Sequence, residues 1–185
     1  MRHDHPALII IDMQQCMASP EAGVRNNVQA EANIATLLEA WRAAAAPVVH
    51  VRHISRFHES GFAPGQPGAA FQPALAPRPG EHVVEKNVPD AFIHSTLERW
   101  LRVRGVQRLV VAGVSTNISV ECSARSAGNL GFAVSVAADA CFAFARHDYA
   151  GVARSAAEVH AMSLANLTGE YATIVTTADA LHLLD

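Results

Sequence analysis

At 185 residues, half of them apolar, the chain is long enough for one domain, read over residues 1–185, with a full hydrophobic core. A net charge of −3 and a pI of about 6.3 give no electrostatic case for nucleic acid or an anionic membrane as partner. Three cysteines (Cys16, Cys122 and Cys141) are an odd number, which argues against a disulfide framework and for a reducing cytoplasm. No apolar run approaches the roughly 20 residues that span a bilayer, and the opening MRHDHPALIII is too short and too interrupted for a signal peptide.

In chain order, Ala7 to Ile11 is an apolar run of strand length, and Asp12 follows it at once. A carboxylate at the carboxyl end of a buried strand faces the crevice where ligands bind in α/β sheets. From Asn27 to Ala46 the apolar residues fall at helical spacing, and Pro47 ends the helix. Val48 to Val51 makes a second strand, with His53 near its end. Residues 54–80 are dense in glycine and proline, so a functional loop or lid is expected there, covering the crevice with Phe57, Phe62 and Phe71 as apolar walls. A third strand, His82 to Glu85, leads into Lys86, the only lysine in the chain. Thr96 to Val103 reads as a crossover helix with Leu97, Trp100 and Leu101 as its buried face. Further strands are expected at 109–112, 133–138 and 172–175, with helices at 148–166 and 178–184. Strands alternating with helices predict an α/β fold: three αβα layers around a six-stranded, mainly parallel sheet with right-handed crossovers.

The chemistry concentrates in QRLVVAGVSTNISVECSARSAGNLGF, residues 107–132. A buried strand ends at Gly113, and a helix takes over from about Asn117, with Thr116 or Asn117 as its expected N-cap. Ser119 then lies in the first helical turn, where unpaired N–H groups and the helix dipole favour a nucleophile and the oxyanion its attack creates.

The segment GVSTNISVECSARSA resembles the nucleophile segment of the isochorismatase-like cysteine hydrolases, with Ser119 where that family has its catalytic cysteine. Two further strings carry the resemblance. IIDMQ, containing Asp12 and Gln14, is similar to the family's opening motif, and KNVPDAFIHSTL is similar to its lysine motif. The resemblance implies Asp12, Lys86 and Ser119 as the catalytic set and a cis peptide between Val114 and Ser115. The oxyanion site is then expected from Val114, Ser115 and Ile118. Gln14, His53, Phe57, Phe62, Phe92 and Asn117 are expected around a small-molecule substrate, with Gln14 orienting the neighbouring loop. Relatives that bind a metal use an Asp-x-His pair after the second strand. The text here is HVRHIS, so His53 and His58 are expected to hold no metal, and no cofactor is implied. A homodimer or homotetramer is implied, and RSAGNLGF at 125–132 resembles members acting on cyclic amides of antibiotics.

A serine hydroxyl is far less acidic than a thiol and needs a strong, positioned base. The favoured expectation is hydrolysis of an amide or ureide C–N bond. The alternatives are Ser119 as an engineered replacement for the cysteine, activation of water or protonation of a vinyl ether by Asp12, a nucleophile displaced to Cys122 one turn along the helix, and a silent binding homologue.

Overall fold

The computed structural model describes residues 5–184; residues 1–4 and 185 of the expected 1–185 domain, and with them the start of the stretch weighed as a signal peptide, lie outside the described residues. The elements are β1 (Ala7–Ile11), α1 (Ala30–Ala43), β2 (Val48–His53), β3 (His82–Lys86), α2 (Leu97–Val103), β4 (Arg108–Val114), α3 (Glu121–Asn129), β5 (Ala133–Phe142), β6 (Arg146–His147), β7 (Ala153–Arg154), α4 (Ala156–Leu167), β8 (Thr173–Val175) and α5 (Thr177–Leu181). Six strands form one sheet in the order β3-β2-β1-β4-β5-β8, and every neighbouring pair runs parallel.

Each residue of β1 is buried, as a central parallel strand covered on both faces requires. Alternate residues feed two cores. Leu8 and Ile10 pack with Ile34, Leu37, Leu38 and Trp41 of α1 and with Ala180 of α5. Ile9 and Ile11 pack with Leu97 and Leu101 of α2, Ala124 and Ala127 of α3, and Leu167 of α4. The three αβα layers follow from this division.

β1 is central, and the chain leaves it first toward β2 and β3, then crosses back to β4 and β5. The order therefore reverses between β1 and β4, and the crevice opens at the carboxyl ends of those two strands. Their backbones approach closely. Gly113 has φ +127°, and a Cβ there would stand 2.1 Å from the Ile11 carbonyl oxygen.

Local chemistry moved several expected boundaries. The helix expected from 148 begins at Ala156, because Ser155 and Glu158 form a reciprocal capping box. The residues before it make the β6–β7 hairpin, in which the Asp148 carboxylate accepts from the N–H groups of Ala150 and Val152. The helix expected from Asn27 starts at Ala30. The Asn27 amide is occupied by the carbonyls of Ala138 and Cys141, at 3.0 and 2.7 Å. β5 runs past the expected end to Phe142. Asp139, within it, accepts from the Thr177 N–H and hydroxyl and so holds the start of α5.

Candidate active site

The carboxyl ends of five strands converge on a pocket of about 330 Å3. Asp12 follows β1 directly at φ 53°, a left-handed conformation that aspartate tolerates better than most residues. Its N–H donates to the Val51 carbonyl (2.9 Å), which pins the turn to β2. Lys86 closes β3 and reaches across β2, its side chain wholly buried. The ammonium donates to Asp12 Oδ2 at 2.7 Å and to Ser119 Oγ at 3.3 Å, and it stands 3.5 Å from His53 Nδ1. Asp12, Lys86 and Ser119 are thus brought together although 74 and 33 residues separate the bonded pairs.

The electrostatics follow from burial. Asp12 Oδ1 is buried without a hydrogen-bond partner. Desolvation raises the Asp12 pKa above the ordinary aspartate value, against the opposing pull of the Lys86 ammonium and the Ser119 hydroxyl. Loss of hydration lowers the His53 pKa, and the neighbouring ammonium lowers it further, so the ring favours its neutral form. The thiols all move away from reactivity: burial pushes Cys16 up to about 11, Cys141 up to about 12, and Cys122 upward as well, helped by the charges of Asp90 and Glu121. A displaced thiol nucleophile at Cys122 has no support in this environment.

The nucleophile loop differs from a simple capped helix. The Val114–Ser115 peptide is cis. Thr116–Val120 forms a π-helical turn before α3, and neither Thr116 nor Asn117 acts as N-cap. The Thr116 hydroxyl lies 2.8 Å from His160 Nδ1, and its carbonyl accepts from the Ser163 hydroxyl at 2.9 Å. Two residues of α4 therefore hold the turn that presents Ser119. Asn117 lines the pocket and accepts from the Ser115 hydroxyl at 2.6 Å. The N–H of Ile118, expected among the oxyanion donors, is engaged by the Ser115 carbonyl at 3.1 Å, and the Ile118 side chain forms part of the pocket lining.

The expected substrate contacts separate. Phe62 lines the pocket, edge-on to His53 with ring centroids 5.3 Å apart. Phe57 is 74% exposed and forms no wall. Phe71 packs edge-on against His50, and Phe92 packs against Phe132 in the core between the sheet and α2–α4. Gln14 is fully buried and its amide is consumed by backbone: Nε2 donates to the carbonyls of His53 (2.9 Å) and Ala69 (2.8 Å), and Oε1 accepts from the His53 N–H (2.7 Å). Both of its amide hydrogens are spent on backbone, and it ties the 54–80 loop to β2. That loop carries two 3₁₀ turns and a buried Leu75. Among the described residues, no group of three or more histidine, cysteine or carboxylate side chains is arranged to hold a metal ion. Met17, Ala22, Pro89, Phe144, Ala145 and Arg146 complete the lining. Of these only Pro89 belongs to a motif singled out in the sequence, the KNVPDAFIHSTL string.

An all-parallel αβα sheet with a carboxylate, an ammonium and a hydroxyl at its switch point defines the class: a three-layer α/β protein of the isochorismatase-like hydrolase type, with its site at the strand ends. Residues 6–179 match the isochorismatase domain, and the chain belongs to that family of hydrolases. It is 37% identical over 176 residues to the isochorismatase family protein YrdC of Bacillus subtilis (strain 168), covering 95% of this chain and 94% of that one. A crystal structure of an isochorismatase-family protein from Chromobacterium violaceum ATCC 12472 superposes with a TM-score of 0.95 at 53% identity, covering 100% of this chain and 96% of the other. The maleamate amidohydrolase of Pseudomonas putida is 29% identical over 197 residues, covering 97% of this chain and 86% of that protein. Among the described residues no helix is long and apolar enough to cross a membrane.

Proposed function

We propose that this hydrolase cleaves an amide or ureide-type C–N bond in a small molecule, with Ser119 as nucleophile, Asp12 as proton acceptor and donor, and Lys86 as the cation between them. One observation carries the reading: the Lys86 ammonium bonds both Asp12 Oδ2 and Ser119 Oγ on one side of the pocket and leaves Asp12 Oδ1 free to accept.

The Ser119 oxygen attacks the carbonyl carbon and its proton passes to Asp12, whose raised pKa makes it a stronger base than an exposed aspartate. Lys86 stabilises the charge that develops on the attacking oxygen. Asp12 then returns the proton to the departing nitrogen. Water, activated by the same carboxylate, clears the acyl-serine and releases the acid. The amidohydrolase activity of the Pseudomonas putida relative supports the bond class.

A second reading has Asp12 activating water directly, or protonating a vinyl ether, with Ser119 only orienting the reactant. The orphaned Oδ1 and the raised pKa of Asp12 favour it equally. Mass spectrometry of the protein quenched during turnover of a small-amide panel separates the two. An acyl adduct on Ser119, lost in Ser119→Ala together with activity, is the expected result. Full turnover by Ser119→Ala, with loss only in Asp12→Asn, overturns the serine mechanism in favour of water or general-acid chemistry.

A further inference from the structure

We propose that His160 is a positioning residue for the nucleophile: acting through Thr116, it holds the turn that keeps Ser119 Oγ against Lys86. The role of Ser119 in this statement rests on the C–N reading above; the hold on the turn does not.

The turn that carries Ser119 takes its support from outside itself. Thr116–Val120 is a single π-helical turn, a wide and rare conformation, and the N–H groups of Ile118 and Val120 share one acceptor, the Ser115 carbonyl, at 3.1 and 3.2 Å. The polar groups of Thr116 meet α4. Its hydroxyl lies 2.8 Å from His160 Nδ1, and its carbonyl accepts from the Ser163 hydroxyl at 2.9 Å. His160 and Ser163 are both buried and stand three residues apart, on one face of α4.

The imidazole is itself fixed from behind. The β4–β5 register shifts between Val111 and Gly113. In the shifted part of β5 the carbonyls of Ala138 and Cys141 both accept from Asn27 Nδ2, at 3.0 and 2.7 Å. That nitrogen, with both hydrogens engaged, stands 3.5 Å from His160 Nε2. An N–H on Nε2 would face it without an acceptor, so the ring proton is assigned to Nδ1 and donated to the Thr116 hydroxyl. Burial lowers the His160 pKa below the ordinary histidine value, in keeping with a neutral ring that carries one proton. His160 does not line the pocket; the chain of contacts runs from β5 through Asn27 and His160 to Thr116, and Ser119 follows in the same turn.

The bond that depends on this hold has little slack. Ser119 Oγ accepts from Lys86 at 3.3 Å, near the long end of hydrogen-bonding distances, and a displacement of about 0.5 Å ends it. Misplacing a reacting group by about 1 Å costs up to about a hundredfold in rate.

A thiol at position 119 reports on the hold without any substrate. In Ser119→Cys, alkylation by iodoacetamide at about pH 8 is followed at each cysteine by peptide mass spectrometry. Cys16, Cys122 and Cys141 form a slow background, because burial raises their pKa values. Adding His160→Leu, or the isosteric Thr116→Val, is expected to slow alkylation at position 119 about tenfold, the change that one pKa unit makes in the thiolate fraction. His160→Asn, which keeps an N–H donor near the Nδ1 position, restores most of the rate. Combining His160→Leu with Thr116→Val costs no more than either alone, since both break one contact. With Ser119 intact, the same variants lower kcat about tenfold or more and leave KM near wild type. Thr116→Val decides the case if His160→Leu does not fold. Unchanged alkylation, losses that add in the pair, no rescue by His160→Asn, or unchanged kcat in an active protein overturns the positioning role. Slowed alkylation in a protein that turns over no amide keeps the hold and sinks the C–N reading; wild-type amide turnover and unchanged alkylation in both single variants do the reverse.

Discussion

Replacing Lys86 by methionine tests the buried pair at the floor of the pocket. Lys86 and Asp12 meet at 2.7 Å with side chains 0% and 5% exposed. Methionine fills a similar unbranched volume, so lost packing is a minor term. The main effect is a carboxylate stranded in the interior, with Oδ1 already lacking a partner and Oδ2 newly deprived of one. Removing one member of a buried ion pair costs about 3–5 kcal/mol. The loss is capped by proton uptake, because the Asp12 pKa, already raised by burial, rises further once the ammonium is gone.

The sign of the pH dependence follows. The folded variant keeps a proton on Asp12 that the unfolded chain has already released above a pH of about 4. Its stability therefore falls as pH rises from there through the folded-state pKa, by at most about 1.4 kcal/mol per pH unit. Urea unfolding of wild type, Lys86→Met, Asp12→Asn and the double variant at about pH 5 and about pH 9 measures it. The cost of Lys86→Met is expected to be small at the lower pH and several kcal/mol at the higher, with the double variant recovering most of the loss. A pH-independent cost, or a double variant no more stable than Lys86→Met, would refute this account of the pair.

Three further outcomes are expected. The acid limb of kcat/KM lies above the ordinary aspartate range, because burial raises the pKa of Asp12, and a limb near pH 4 shows another group to be limiting. Gln14→Leu strands three backbone groups of His53 and Ala69 and costs about 3 kcal/mol or more in denaturant unfolding; a neutral result means that water replaces the amide. Phe62→Ala raises KM and Phe57→Ala leaves it unchanged, since only Phe62 lines the pocket; an equal effect of both brings Phe57 into the site.

The parallel sheet was legible from short apolar, β-branched runs, with β1 buried throughout and the edge strand β3 buried only at alternate residues, and Asp12, Lys86 and Ser119 stood out through the motifs that follow β1, close β3 and follow β4. The start of α4 was also written in the sequence, as Ser155-x-x-Glu158, but helical periodicity across 148–154 masked it. Other features depend on contacts that no local pattern encodes. Thr116 reads as an N-cap, yet its hydroxyl is taken by His160, 44 residues away. Phe57, Phe62, Phe71 and Phe92 are equivalent as text, and only the path of the 54–80 loop and the core separate them. Phe144 and Arg146 enter the pocket because β5 runs past its expected end and the chain then turns into the β6–β7 hairpin.

The contact of Gly113 with Ile11 reaches beyond the packing of two strands. Asp12 leaves one of these strands and the Ser119 turn leaves the other, and nothing but main chain lies between them at that point. The spacing of carboxylate and hydroxyl is thus set by peptide geometry, which mutation of core side chains leaves alone. Both hydrophobic layers can drift in sequence, and the mouth of the pocket can be rebuilt from new loops, while the reacting groups keep their separation. A lineage built on this frame is free to change what it binds without first solving again how its reacting groups meet.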